Sequence, residues 1–174
     1  DIKTEQYLGG AVAIAANLAQ FCKKVYLLTL LGQNLEFAKD IRSKLPKNVS
    51  ICFIKKKNSP TIVKKRYLDI FSKNKLFGVY KINDDVLDLK EERVLKEKFE
   101  TFQKKSNLIV VSDYGHGFIT RKISEKISNS KKFVALNAQI NANNVGYHSL
   151  KNYKNINFVI INERELRHEF RDRN

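Results

Sequence analysis

The chain is poor in the residues that staple or break a fold. Only two of its 174 residues are cysteine and only two are proline. Cys22 and Cys52 stand alone, with no Cys-x-x-Cys pair and no Cys/His spacing. That pattern excludes a disulfide framework and a structural zinc cluster, and fits two free thiols in a reducing compartment. Pro46 and Pro60 are the only breakers, and no repeat or low-complexity linker divides the chain. Residues 1–174 therefore read as one domain of ordinary size. No apolar run approaches the ~20 residues a membrane-spanning helix needs. The opening residues "DIKTEQY" lack the charged-then-apolar layout of a secretory signal. A cytoplasmic protein with no membrane partner is expected. Neither GxGxxG nor GxxxxGK occurs, so neither standard nucleotide-phosphate fingerprint is present.

Acidic residues are also scarce: 18 stand against 33 basic ones, a net charge of +15. Such a chain is drawn to anions of several kinds, nucleic acid and phosphorylated substrates among them. The excess is mostly lysine and is spread along the chain, whereas nucleic-acid grooves combine clustered arginine with aromatics for stacking. The one dense cluster, "KKKNSPTIVKKRY", contains a strand pattern. The charge thus argues for a basic surface and against a nucleic-acid partner.

What is present is an alternation of strands and helices. Residues 10–22 read as a small-residue helix, and "KVYLLTLLG" as a buried strand ending at Gly32. "LEFAKDIRSKL" is an amphipathic helix closed by Pro46, and "VSICFI" the next strand. "TIVKKRYLDIF" and "KLFGVYKI", joined by "SKN", predict a β-hairpin within residues 55–83. "LKEERVLKEKFETFQKK" is a charged amphipathic helix, "NLIVVSDYGHG" a buried strand with a glycine turn, and "KKFVALN" and "NFVII" short buried strands. "NERELRHEF" begins a last helix. Repeated strand–helix units predict an α/β fold with a mainly parallel sheet covered on both faces.

Ligands of parallel α/β sheets collect beyond the carboxyl ends of the strands, and four stretches are expected there. Gly9-Gly10 opens a helix carrying Asn17. Glycines at a helix start let a ligand approach free N–H donors, and an amide can read a hydroxyl. A plain turn before a core helix explains the same residues. In "SDYGHG", Asp113 directly follows a buried strand and can accept from a hydroxyl or orient a neighbour. A Ser112–His116–Asp113 hydrolytic triad fails, because neighbours on one turn cannot form the relay. "NAQINANNVGY", residues 137–147, is an amide-rich stretch suited to polyols. In "NERE", Asn162 and Glu165 put two oxygens at a helix start, suited either to a hydrated Mg²⁺ or to capping the helix. His148 and His168 show no metal-ligand spacing.

Taken in order, these stretches resemble the pfkB (ribokinase-like) carbohydrate kinase family. The nearest resemblance is to the kinase domain of bifunctional ADP-heptose synthase and related sugar kinase–nucleotidyltransferase fusions. "GGAVAIAANLAQFCKKVYLLTLLG" is similar to the family's glycine-pair helix and strand, and "SPTIVKKRY" to the lid strand. "LIVVSDYGHG" is similar to its serine-aspartate-tyrosine turn, and "NERE" to its Asn-x-x-Glu motif. The resemblance implies a partial three-layer αβα sandwich with an inserted hairpin lid, and phosphoryl transfer from ATP to a sugar or sugar phosphate. It further implies substrate contacts from Gly9, Gly10, Asn17, Arg66, Asp113 and His116. Asn162 and Glu165 would organise ATP phosphates and Mg²⁺, with Glu165 toward the metal, and the lid would form a homodimer contact.

Departures accompany it. The family's first strand would precede Asp1, and its Gly-Ala-Gly-Asp segment with the catalytic base would follow Asn174. The resemblance therefore implies that these residues alone carry no catalytic base, hold little of the ATP site, and are inactive as a kinase. His116 stands where heptose kinases have lysine, "NAQ" replaces an acidic-proline-basic triplet, and Gln33-Asn34 replaces a pair ending in aspartate. Each change removes charge from the implied pocket. A non-catalytic sugar-binding or dimerisation module of a larger nucleotidyltransferase is the alternative.

Overall fold

The computed structural model describes residues 3–139 and 150–170. It is a mixed α/β fold whose parallel strands do not close into a barrel. Helix α1 (Gly10–Leu18) leads into β1 (Val25–Gly32), and α2 (Ala38–Lys44) into β2 (Val49–Lys56). β1 and β2 pair in parallel, from Val25 opposite Val49 to Gly32 opposite Lys56. Strands β3 (Val63–Leu68) and β4 (Lys75–Lys81) form the expected antiparallel hairpin. After α3 (Leu89–Lys104) come β5 (Leu108–Asp113), α4 (Arg121–Ser128), β6 (Phe133–Ala138), a 3₁₀ turn at Leu150–Asn152, β7 (Phe158–Val159) and α5 (Glu163–Phe170). β5, β6 and β7 form a second parallel sheet, in that order.

Two apolar clusters hold these layers together. Val12 and Ala15 of α1 meet Leu27 of β1, with Ile41, Leu45, Val49 and Ile51 packed around them. The larger cluster joins Ile54 of β2 to Leu95 and Phe99 of α3, Ile123 and Ile127 of α4, and Val111, Val134 and Leu136 of β5 and β6. α3 reads clearly because Asp88 accepts from the Lys90 and Glu91 N–H groups while the Glu91 carboxylate accepts from the Asp88 N–H. That reciprocal box satisfies donors the first turn would otherwise leave open.

The structure corrects several expectations. α1 ends at Leu18 rather than at residue 22, and the Asn48 amide donates to the Ala19 and Cys22 carbonyls beyond it. α2 spans only Ala38–Lys44, because Leu35 and Phe37 take left-handed backbone angles (φ 53° and 67°) that a continuing helix cannot use. The hairpin turn is longer than "SKN": the Asp69 carboxylate accepts from the Phe71 and Ser72 N–H groups. α4 was not legible at all.

The second sheet is covered on one side only among the described residues. Residues two apart in a strand share a face. Leu108 and Val110 of β5, Phe133 of β6 and Phe158 of β7 share the face opposite α4, and all four are exposed. Among the described residues, the expectation of fully buried strands covered on both faces is not met for this sheet.

Burial on one face sets an asymmetric mutational response. Leu136→Ala should cost about 2–5 kcal/mol by leaving a cavity under α4. Val110→Lys on the bare face should stay within about 0.5 kcal/mol. Urea denaturation of the two variants reads this, and equal losses would contradict the one-sided packing.

Candidate functional site

The carboxyl end of β5 is organised by Asp113. Its side chain is buried beneath the turn that follows. Oδ1 accepts from the Gly115 N–H at 3.0 Å, and Oδ2 from the Tyr153 hydroxyl at 2.5 Å. The Asp113 carbonyl accepts from the Gln139 N–H at 2.8 Å, tying the ends of β5 and β6 together. Burial, with the charge and hydrogen bond of Asp113 added, pushes the Tyr153 hydroxyl well above the ordinary tyrosine range. Tyr153 is therefore a neutral donor to a buried carboxylate.

The turn carries Tyr114, His116 and Gly117 outward. The nearest side chain to Gly10 is the ring of Tyr114: a β-carbon on Gly10 would stand 3.6 Å from it, an ordinary contact. Gly10 is needed for its backbone instead, since φ is +54° where α1 begins. A β-carbon on Gly9 would meet nothing within 4 Å. The open space thus lies at Gly9, and no side chain caps the amino end of α1 there. The Tyr114 and His116 rings lie nearly parallel, 7° apart in plane and 6.4 Å between centroids.

His116 is buried and both of its ring nitrogens have protein partners. Nδ1 is 2.7 Å from Asp84 Oδ1, and Nε2 is 3.2 Å from Lys64 Nζ. Lys64 belongs to β3 and Asp84 to the segment leaving β4, so the imidazole sits between the two legs of the hairpin. Gly117 fixes the second leg. Its φ is +74°, and a β-carbon there would fall 1.9 Å from the Asp85 carbonyl oxygen. The Leu87 N–H donates to the Gly117 carbonyl at 3.1 Å. Lys56, buried at the end of β2, donates to the Asn83 carbonyl at 2.8 Å and also to the Asp85 carbonyl. Burial lowers the ammonium's pKa, against the pull of Asp85, Asp84 and Glu91.

Gly10, Asp113 and His116 are thus brought into one neighbourhood. Arg66 lies on β3 opposite Gly78, exposed, on the same face as Lys64. Asn17 is exposed near the far end of α1, about 10 Å of helix rise from Gly10. Of the amide-rich stretch, Asn137 and Ala138 end β6 and Gln139 follows it, while residues 140–149, with His148, lie outside the described residues. His168 is exposed on α5. The sequence reading missed Lys56, Lys64, Asp84 and Tyr153. Each acts through a partner distant in sequence, and no local spacing marks them.

Asn162 and Glu165 are separate from this cluster in their bonding. The Asn162 N–H donates to Glu165 Oε2 at 3.0 Å, and the Glu165 N–H to Asn162 Oδ1 at 2.8 Å. They form a reciprocal cap on α5, the second of the two roles their spacing allows. Among the described residues no three His, Cys, Asp or Glu side chains converge as a metal site. Among them, too, no helix is long and apolar enough to cross a membrane. Comparison with protein-family profiles gives no match, and comparison with curated proteins gives none.

The Asp113–Tyr153 bond yields a direct test. Tyr153→Phe removes the donor to a buried carboxylate and should cost about 1.5–3 kcal/mol. With the hydroxyl's pKa raised by folding, the stability it gives is complete below the ordinary tyrosine range and declines as pH rises above it. Denaturation from neutral to alkaline pH should show that decline reduced in Tyr153→Phe. An unchanged neutral stability would refute the role.

Proposed function

We propose that the region bounded by the glycine end of α1, the Asp113–Gly117 turn and the β3–β4 hairpin takes a sugar or sugar phosphate. In this reading the chain is the sugar-holding part of a ribokinase-like carbohydrate kinase. One observation carries it: motifs far apart in sequence meet at one end of a parallel sheet. Gly10 lies against Tyr114, and Lys64 of the hairpin against His116. Open space at Gly9 sits beside an uncapped helix end, where N–H donors suit a hydroxyl or phosphate oxygen. Arg66, exposed on the hairpin face that carries Lys64, supplies charge for a phosphate. ATP and Mg²⁺ belong to the reading through the family resemblance, with Asn162 and Glu165 as the residues concerned.

The test is calorimetric titration of the chain with glucose, fructose and ribose and with their monophosphates. Saturable binding is expected for at least one of them. Gly9→Val fills open space at a φ of −124° that any residue adopts, so it should weaken binding about tenfold or more while leaving the fold intact. No binding, or binding indifferent to Gly9→Val, would defeat the proposal.

A second reading has its own observation. The hairpin exposes Phe71, Leu76, Phe77 and Val79, with Phe71 at 92%. A two-stranded ribbon with apolar side chains and free edges suits pairing between two copies of the chain. Sedimentation should then show a dimer that Phe71→Lys with Phe77→Lys converts to monomer. A monomeric wild-type chain would end this reading.

A further inference from the structure

We propose that His116 is a latch for the β3–β4 hairpin: oriented by Asp84, its Nε2 holds Lys64 and so keeps the hairpin beside the glycine end of α1. This goes beyond the sugar reading and stands whether or not a sugar binds.

The protonation pattern follows from the partners. A lysine ammonium has donors and no acceptor, so at 3.2 Å the imidazole Nε2 must accept from Lys64. The ring proton then sits on Nδ1, where it donates to the Asp84 carboxylate at 2.7 Å. Asp84 thereby fixes both the tautomer and the rotation of the ring, as a carboxylate does for an imidazole in other settings. The Tyr114 ring lies nearly parallel to it, 6.4 Å between centroids.

Both legs of the hairpin are also held at their base; on the first, the Gln33 N–H donates to the Ser59 carbonyl at 2.8 Å. The second is anchored through its backbone, by Lys56 on the Asn83 and Asp85 carbonyls and by Gly117 against Asp85. The first enters through Thr61, whose Oγ1 accepts from the Gly32 N–H, and Lys64 is the strand side chain that reaches the sheet turn. Beyond Lys64 the hairpin stands in solvent: Leu68, Phe71, Leu76, Phe77 and Val79 are all exposed. Its position therefore depends on contacts at its base, where His116 touches both legs, as does Glu36, whose carbonyl accepts from Thr61 Oγ1 at 3.3 Å and whose carboxylate pairs with Lys81 at 3.4 Å. A second consequence follows. While the latch is closed, neither ring nitrogen is free for a ligand, so a ligand contact from His116 requires Lys64 to leave.

The experiment is nitrogen-resolved NMR on the 174-residue chain with His116→Phe and Lys64→Met variants. Wild-type His116 should show a protonated Nδ1 and a bare Nε2. Both variants should speed amide exchange across Val63–Leu68 and Lys75–Lys81 by about tenfold or more, with β5 and β6 amides unchanged. An Nε2–H tautomer overturns the proposal. So does unchanged hairpin exchange in Lys64→Met, an exposed position whose substitution does not threaten the core. Equal acceleration in β5, β6 and the hairpin would mark general destabilisation and overturn it as well. These readouts need no sugar, so failure here leaves the titration of the sugar reading independent.

Discussion

A carboxylate taken out of water must find hydrogen-bond donors, and much of this structure is arranged around the one at Asp113. Its two oxygens take the Gly115 N–H and the Tyr153 hydroxyl, and its carbonyl takes the Gln139 N–H. These bonds tie three things at once: the turn after β5, the carboxyl end of β6, and the Tyr153 segment beside α4. Because the turn is fixed, Tyr114 lands against Gly10 and His116 lands between the hairpin legs. A residue with an internal role thereby positions Tyr114 and His116. Asp113 shapes this end of the sheet, and its oxygens are occupied by the protein itself.

The hairpin is held by a second buried charge. Lys56 ends β2 on the same side as Ile54, so its stem lies over the main cluster while its ammonium reaches backbone carbonyls at Asn83 and Asp85. Capping carbonyls with a cation satisfies both partners without requiring a carboxylate in the core. Gly117 brings the same backbone close enough that no other residue fits. Together they explain how a basic, solvent-exposed ribbon with few contacts of its own keeps a defined origin on the sheet.

Legibility followed the range of the determining interactions. α3 was plain because its apolar stripe and its Asp88–Glu91 box are both local. The parallel strands were plain as apolar runs between helices. α4 was hidden because "RKISEKIS" offers only Ile123 and Ile127 as large apolar residues, while its other buried positions are Ser124 and Ser128. Those hydroxyls are satisfied by carbonyls one turn back, from Ser124 to Arg121 and from Ser128 to Ser124. A helix that buries serine reads as polar sequence. In the same way Gly10, Asp113 and His116 stood out by their place after or before an apolar segment, whereas Asp84 and Lys64 acquire meaning only once a distant histidine lies between them.

The two glycines of the pair answer to different constraints. Gly10 answers the backbone: with φ at +54°, and an ordinary contact to Tyr114, its lack of a side chain eases a conformation that strains other residues at the start of α1. Gly9 has an extended backbone that any residue adopts and nothing within 4 Å of the missing β-carbon. Glycine suits the N-cap position it holds, and packing within the described residues sets no further demand there. What a side chain there would occupy is the space in front of an uncapped helix end. Gly9 is exposed, so a β-carbon there would reach into solvent before the first turn of α1.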